Sequence, residues 1–287
     1  MKNILVLGGA GFIGHHLARR LKNEGHWVRT VDIKEYEYGD YDFCNEHVIA
    51  DLRDVERVRS VVRLNQEREY SFYPKPFEKL IEFDEIYQMA ADMGGAGYVF
   101  VGTNDTDIIH NSLQINLNVV SCLVDSKYKG KIFYSSSACI YPQEIQDGSR
   151  HALYQGLKES DAYPAHPDSE YGWEKLMSER YFLSASRNKN LNLRIGRFHN
   201  IYGPEGTYKG GREKAPAAMC RKAISPFLQF PNMHTSLKPI LNIWGDGEQT
   251  RSFLYVSDCV DAVLLLMKSE FKEPINIGSE EMVSINQ

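Results

Sequence analysis

The chain opens on an unbroken apolar run from Ile4 to Leu7. It then alternates short β-branched runs with segments whose apolar positions recur every three or four residues. A strand covered on both faces reads as a continuous apolar run, whereas a helix lying on a sheet carries one apolar stripe. On that basis strands are expected at residues 3–7, 27–31, 48–50, 85–89, 131–134, 191–195, 250–256 and 274–277. Helices are expected at 12–23, 54–62, 107–125, 169–183, 216–223 and 259–268. In the first of them Leu17 and Leu21 share a face while Arg19, Arg20 and Lys22 turn outward. Strand–helix alternation of this kind predicts βαβ units and an α/β fold around a parallel sheet. Beyond Phe198 the texture shifts to glycine, proline and aromatic residues. Residues 66–79, interrupted by Pro74 and Pro76, show no readable period.

The first strand runs straight into Gly8-Gly9-Ala10-Gly11-Phe12-Ile13-Gly14 and then into a helix. Gly8, Gly11 and Gly14 stand three apart, and Gly9, Gly11 and Gly14 also satisfy GxGxxG. The spacing suits a tight turn, close approach of a pyrophosphate and contact between helix and strand, with the phosphates, Phe12 and Ile13 at the helix start. Asp32 ends the second strand about twenty residues on, where a carboxylate accepts both ribose hydroxyls. Its charge disfavours a 2′-phosphate, so NAD is expected over NADP, a preference that nearby Arg29 and Lys34 temper. Asp51 and Leu52, after the third strand, fall where a contact to the adenine edge is expected. These features predict a Rossmann-type doubly wound sheet at residues 1–196, with a return segment at 250–275. A smaller, interrupted substrate-binding domain is expected at 197–249 and 276–287.

Tyr171 and Lys175 lie at i and i+4, one above the other on a helix face. A phenol near pKa ~10 is a poor base at neutral pH, and a neighbouring ammonium lowers that value. Taken alone, the pair also fits a solvated helix face. Behind a Rossmann turn, and about thirty residues past a strand ending Ser135-Ser136-Ser137, it fits proton removal from a sugar hydroxyl as hydride leaves for nicotinamide. A hydroxyl of Ser136 or Ser137 would then hold the reacting oxygen. Cys139, just past that strand end, reads equally as a thiolate base or as a small buried hydrophobe. Lys214 sits in a glycine-rich loop with Lys209 and Arg212, which also fits a solvated charge run or a phosphate contact.

Composition narrows the field. The 33 Lys and Arg against 38 Asp and Glu give a net charge of −5, so no basic excess drives binding to nucleic acid or to an anionic membrane. The longest apolar stretches are too short to span a bilayer. The 5 cysteines form no CxxC pair, which suits a reducing cytoplasm better than a disulfide scaffold, and no metal is expected.

Glycine turn, serine-rich strand end and YxxxK together resemble the extended short-chain dehydrogenase/reductases. Longer blocks are similar to the GDP-mannose 3,5-epimerases, a family within that superfamily. They are Ala90 to Gly95, Ser136 to Pro142, Lys158 to Ala162, Arg197 to Pro204, Gly210 to Ala217 and Trp244 to Phe253. The resemblance implies an NAD-dependent isomerase that acts on GDP-mannose, most simply as a homodimer. It also implies that Cys139 and Lys214 are an acid/base pair on opposite faces of the sugar ring. Gly94, Gly95, Ser137, Asn200, Lys222 and Arg251 are then expected at the sugar or its diphosphate, although all but Ser137 also have a reading as a turn or surface residue. A 4-epimerase or 4,6-dehydratase of the same superfamily, or a silent NAD-binding protein, are the alternatives. Residues 58–83 and 225–241 look like surface insertions. Relative to the family, the chain is expected to lack C-terminal residues of the substrate domain.

Overall fold

In β1 (Asn3–Leu7) Ile4 and Val6 point to one face of a sheet and Leu5 and Leu7 to the other, and none of the four is exposed. The period of two in a strand makes this division, and an apolar residue at every position requires helices on both faces. The computed structural model describes residues 1–62, 83–146, 156–229, 240–243 and 245–287. The main sheet contains β1, β2 (Trp27–Asp32), β3 (Glu46–Ile49), β4 (Glu85–Gln88), β5 (Lys131–Ser137), β6 (Asn192–Phe198) and β9 (Ile275–Ile277). The order is β3-β2-β1-β4-β5-β6-β9 and every pairing is parallel. This is the doubly wound arrangement expected from the sequence.

Helices α1 (Phe12–Asn23) and α8 (Val256–Lys268) cover the face that Ile4 and Val6 enter. There they contribute Leu17, Leu21, Val260 and Val263. The opposite face is closed by α2 (Val55–Val61), α4 (Asp105–Asp125) and α6 (Glu170–Lys189), through Val58, Val119, Leu123 and Phe182. Each such side chain, fully buried, contributes roughly 1.5–3 kcal/mol. α6 runs six residues past the expected end because its polar last turn is compatible with a solvent-facing helix. It stops where Asn190 takes a left-handed conformation, φ 58°. The short α3 (Ala96–Val99) and α5 (Gln143–Gln146) follow β4 and β5.

The C-terminal third departs from expectation. β8 (Thr250–Tyr255) does not return to the main sheet. It pairs with β7 (Asn200–Tyr202) and β10 (Met282–Ser284) in a sheet of its own. None of its residues is fully buried, so it lacks the apolar run that a doubly covered strand needs. β9 joins the main sheet instead, through residues on both sides of the expected boundary at 275/276. The helix expected at 216–223 begins at Ala215 and continues to Gln229 as α7, so the start of the second expected insertion is helical. Most of the first lies outside the described residues. All parallel strands end on one edge, and the loops there, after β1, β4, β5 and β6, gather the candidate residues.

Candidate functional site

Gly8 leaves β1 with φ +79°, and a Cβ on it would meet the Ala90 backbone nitrogen at 2.7 Å. A Cβ on Gly14 would lie 2.1 Å from the Gly8 carbonyl oxygen, so α1 approaches the turn more closely than any other residue permits. Gly11 caps α1 without a side-chain acceptor, and the first turn holds no acidic residue, which leaves the helix start to an anion. Phe12 and Ile13 open the helix, half-buried against the core. One Asp32 oxygen accepts the Ala10 N–H at 3.0 Å and the other accepts the Lys34 N–H at 3.3 Å, which fixes the carboxylate beside the turn. Burial pushes Asp32 above the usual carboxylate range, against the pull of those N–H groups. Asp51 is drawn onto Arg53 at 2.7 Å, and Leu52 is buried in the core, its carbonyl accepting the Asn118 amide at 3.1 Å.

β5 separates the two candidate serines. Neighbouring strand residues point to opposite faces, so a consecutive pair cannot both line one cleft. The Ser136 hydroxyl donates to Glu179 at 2.8 Å, inside a buried pair of Glu179 with Arg197. Ser137 accepts the Cys139 N–H at 3.2 Å and shares a hydrogen bond with Tyr171. Ser137 is therefore the one that faces the tyrosine. Tyr171 packs with Cys139, Met93 and Tyr98. Lys175 donates to the Ser135 carbonyl at 3.0 Å, with its nitrogen 5.2 Å from the Tyr134 ring centre and 5.8 Å from that of Tyr171.

This arrangement corrects one expectation. Tyr171 is pushed well above the ordinary phenol value, chiefly by burial, with Cys139 and Glu174 adding to it and Ser137 opposing. Lys175 is pulled below the ordinary lysine value by the same burial, and its ammonium is turned to the Ser135 carbonyl. The low dielectric that makes a charge effective also penalises forming one, and in this chain the penalty is larger.

The loop before α7 completes the group. The Gly95 N–H donates to the Arg212 carbonyl at 2.9 Å, and a Cβ on Gly95 would lie 2.1 Å from the Glu213 carbonyl oxygen and 3.1 Å from the Lys214 Cα. Gly94 faces the Tyr98 side chain in the same way. Lys214 is thereby set near Cys139. Burial pulls its ammonium down, and Cys139 and Cys259 oppose that. Burial pushes the Cys139 thiol up. Ser137, Lys214 and Arg251 hold it back, while Asp168 adds to the rise. Arg251 thus lies within electrostatic reach of Cys139, and its guanidinium donates to the Thr250 carbonyl at 2.7 Å. Asn200 ties β7 to β8 through the Ser252 carbonyl at 3.1 Å, and Lys222 reaches the Asn242 carbonyl at 2.5 Å. Neither amide nor ammonium has a described contact with the Cys139 group.

Residues 4–278 match the model of the NAD dependent epimerase/dehydratase family. The chain belongs to that family. It is 43% identical over 285 residues to the GDP-mannose 3,5-epimerase of Arabidopsis thaliana, and 42% identical to GDP-mannose 3,5-epimerase 1 of Oryza sativa subsp. indica. In both cases 99% of this chain is covered, and it spans 66% of the relative's length. Among solved structures, Pal from Bacillus thuringiensis superposes with a TM-score of 0.75 at 26% identity, covering 99% of this chain and 80% of that one. A UDP-glucose 4-epimerase from Thermotoga maritima, solved with UDP-glucose, shares the fold at a TM-score of 0.73 and 24% identity, over 99% and 79% of the two chains.

The family's dinucleotide fits this chain on its own geometry. Side chains at positions 8 and 14 would fill the space of the turn, the helix start is uncapped, and Asp32 keeps an acceptor lone pair on each oxygen. Among the described residues one group has metal-like spacing, His15, His16 and Glu205, whose ligand atoms lie within 4.8 Å of one another. Glu205 already accepts Arg19 at 3.2 Å and Tyr36 at 2.8 Å, so its charge is met by a guanidinium.

Three contributors escaped the sequence reading. A Cβ on Gly172 would lie 2.2 Å from the Cys139 carbonyl oxygen, so this glycine lets α6 reach the thiol segment. Glu174 is buried beside Lys175 and accepts Ser178 at 2.6 Å and Asn116 at 3.2 Å. Half-buried Asp168, ahead of α6, faces Cys139 and Arg251. An acid directly before a serine N-cap carries no signal of its own. The glycine after Tyr171 did, since glycine inside a helix needs a packing reason.

Proposed function

We propose that this chain catalyses the NAD-dependent epimerisation of GDP-mannose at C3 and C5 to GDP-L-galactose, with inversion at C5 alone giving GDP-L-gulose. One observation carries the reading: Cys139 packs with Tyr171 beside Ser137, and Lys214 lies on the loop closed against Gly95, within electrostatic reach of the thiol. A family member that only interconverts C4 epimers has no need of a second acid/base pair. The 43% identity to a GDP-mannose 3,5-epimerase supports the same substrate.

Bound NAD supplies a hydride acceptor at C4 and returns the hydride at the end of the turnover. Tyr171 takes the proton of the 4-hydroxyl and Ser137 holds that oxygen; the burial that raises the phenol makes its ionised form a strong base, and the neighbouring Lys175 supplies the opposite charge. The C4 ketone acidifies the hydrogens at C3 and C5. Cys139 as thiolate removes one of them to give an enolate, and Lys214 as ammonium returns a proton from the opposite face, inverting the centre. Burial raises the thiol and lowers the ammonium, so it disfavours both charges, and the attraction of each group for the other opposes it. Gly94 and Gly95 let backbone approach the sugar. In this reading Asn200, Lys222 and Arg251 serve the diphosphate, with arginine best suited to its geometry. Gly8, Gly11, Phe12, Ile13 and Gly14 hold the dinucleotide phosphates, and Asp32 holds its ribose. Asp51 and Leu52 flank the adenine.

Homodimerisation is part of the same reading. α4 and α6 leave Leu117, Trp173 and Met177 exposed on the outer side of one sheet face, which supports a helix-pair interface. A cytoplasmic setting is supported by the free state of all 5 cysteines.

The test is deuterium uptake from heavy water into GDP-mannose with NAD present. Label at C3 and C5 is expected. Cys139→Ser is expected to slow uptake at C5 by about 100-fold or more while NAD still binds. An enzyme that acts only at C4 leaves both positions unlabelled. NAD binding without any exchange would sink the proposal outright.

A further inference from the structure

Residues 210–214 have no strand partner among the described residues, and they leave a turn in which Gly210 and Gly211 take φ of +87° and +85°. Apart from the Gly95 N–H on the Arg212 carbonyl, what fixes them is side-chain chemistry. The Arg212 guanidinium lies 3.8 Å over the Tyr98 ring centre. It donates to the Tyr98 hydroxyl at 2.7 Å, to Asp92 at 3.0 Å and to the Met93 carbonyl at 3.2 Å. Asp92 is itself held, by Tyr98 at 2.9 Å and by Asn111 of α4 at 2.8 Å. Burial pushes the Asp92 carboxyl up, but Asn111, Tyr98 and Arg212 outweigh it and leave it below the usual range. On the other side Glu213 accepts Arg221 of α7 at 2.9 Å.

We propose that Arg212 is a positioning residue for Lys214: its fork onto Asp92, Met93 and Tyr98 clasps the loop against the segment after β4 and so fixes the ammonium opposite Cys139. The clasp rests on the function proposed above. The argument for positioning over mere stability is placement. Arg212 is half exposed, and its guanidinium partners Asp92, Met93 and Tyr98 all lie on the segment after β4 and not in a strand of the main sheet. The backbone it closes is the one that carries Lys214, since the Arg212 carbonyl receives the Gly95 N–H two residues before the lysine. An arginine suits this task because its planar fork donates in several directions while its face stacks on a ring. A lysine can reach Asp92 but cannot do the rest.

Two measurements test the clasp in Arg212→Met and Arg212→Lys. The first follows label uptake and inversion together in heavy water with GDP-mannose and NAD. Displacing Lys214 leaves Cys139 to remove protons that are then returned on the same face. Label should accumulate in unepimerised GDP-mannose, and the ratio of exchange to inversion should rise about tenfold or more in Arg212→Met. Arg212→Lys should fall between that variant and the parent, and NAD affinity should be unchanged in both. General damage lowers exchange and inversion in step, and that result, or an unchanged ratio, overturns the clasp. The second measurement needs no substrate. The pH dependence of Lys214 acylation by acetic anhydride, read by peptide mass spectrometry, should move toward that of an ordinary lysine in Arg212→Met. An unchanged profile overturns the clasp even if the parent protein fails to label GDP-mannose, which would count against the function alone.

Discussion

Gly95→Ala adds one methyl group where the structure has no room for it. The new Cβ would lie 2.1 Å from the Glu213 carbonyl oxygen, where ordinary contact begins at 3.4 Å. Something must retreat by about 1.3 Å. Gly95 is buried at the N-cap of α3, while residues 210–212 are exposed and unsupported by a sheet, so the 210–214 loop is the side that yields. Lys214 is the next residue after Glu213 and moves with it. A misplacement of about 1 Å in a reacting group costs on the order of 100-fold in rate, or about 2.7 kcal/mol of barrier. The fold loses far less, because the retreat is into solvent. The expected outcome is a kcat for inversion lower by about 100-fold, with a thermal midpoint within about 3 °C of the parent. The assay is conversion of GDP-mannose followed by stereospecific product analysis, beside a melting curve on the same preparation. Inversion within threefold of the parent would refute the close approach. A large fall in melting temperature would show that the rigid side gave way, and the loop would then not be the yielding partner.

Gly14→Ala places a Cβ 2.1 Å from the Gly8 carbonyl oxygen, forcing α1 away from the turn, and should weaken NAD binding at least tenfold by calorimetry; unchanged affinity would contradict the phosphate role of that turn. Glu174→Gln tests a buried acid whose value is raised chiefly by burial, above an ordinary value of 4.5. The native state then binds more protons than the unfolded chain above that pH, so this group's contribution falls as pH rises through its folded value. Glu174→Gln should therefore be close to the parent near pH 4.5 in urea denaturation and gain by about 1–3 kcal/mol at higher pH. A difference between the two proteins that does not change with pH would contradict it.

Much of the scaffold was legible because it is local. The apolar run before Gly8, the glycine spacing and Asp32 specify a strand, a turn and a ribose partner within about thirty residues, and β1, α1 and β2 follow that reading almost residue for residue. Tyr171 and Lys175 were legible for the same reason, being one helical turn apart. β8 was misplaced because Phe253-Leu254-Tyr255 looks like any strand, while the half-exposed residues around it are visible only once the second sheet is seen. The serine pair left two choices, and strand alternation together with Glu179, over forty residues away, separates them.

The arrangement around Lys214 was illegible for a deeper reason. In isolation Arg212 and Lys214 are two cations in a glycine-rich surface loop, and Asp92 is an acid after a strand. The pairing of Arg212 with Asp92 spans 120 residues, and the loop that carries Arg212 closes against Gly95, which the sequence offered only as a sugar contact or a turn residue. What the fold supplies is the coincidence of three parallel strand ends on one edge: β1 with the dinucleotide turn, β4 with the clasp's receiver, β5 with the thiol. The proposed chemistry needs a hydride acceptor, a base and an acid at fixed separations; these ends carry the first two, and the Lys214 loop closes against the segment after β4. Substitutions that leave each end intact but shift one against another should therefore lower inversion more than they lower NAD binding.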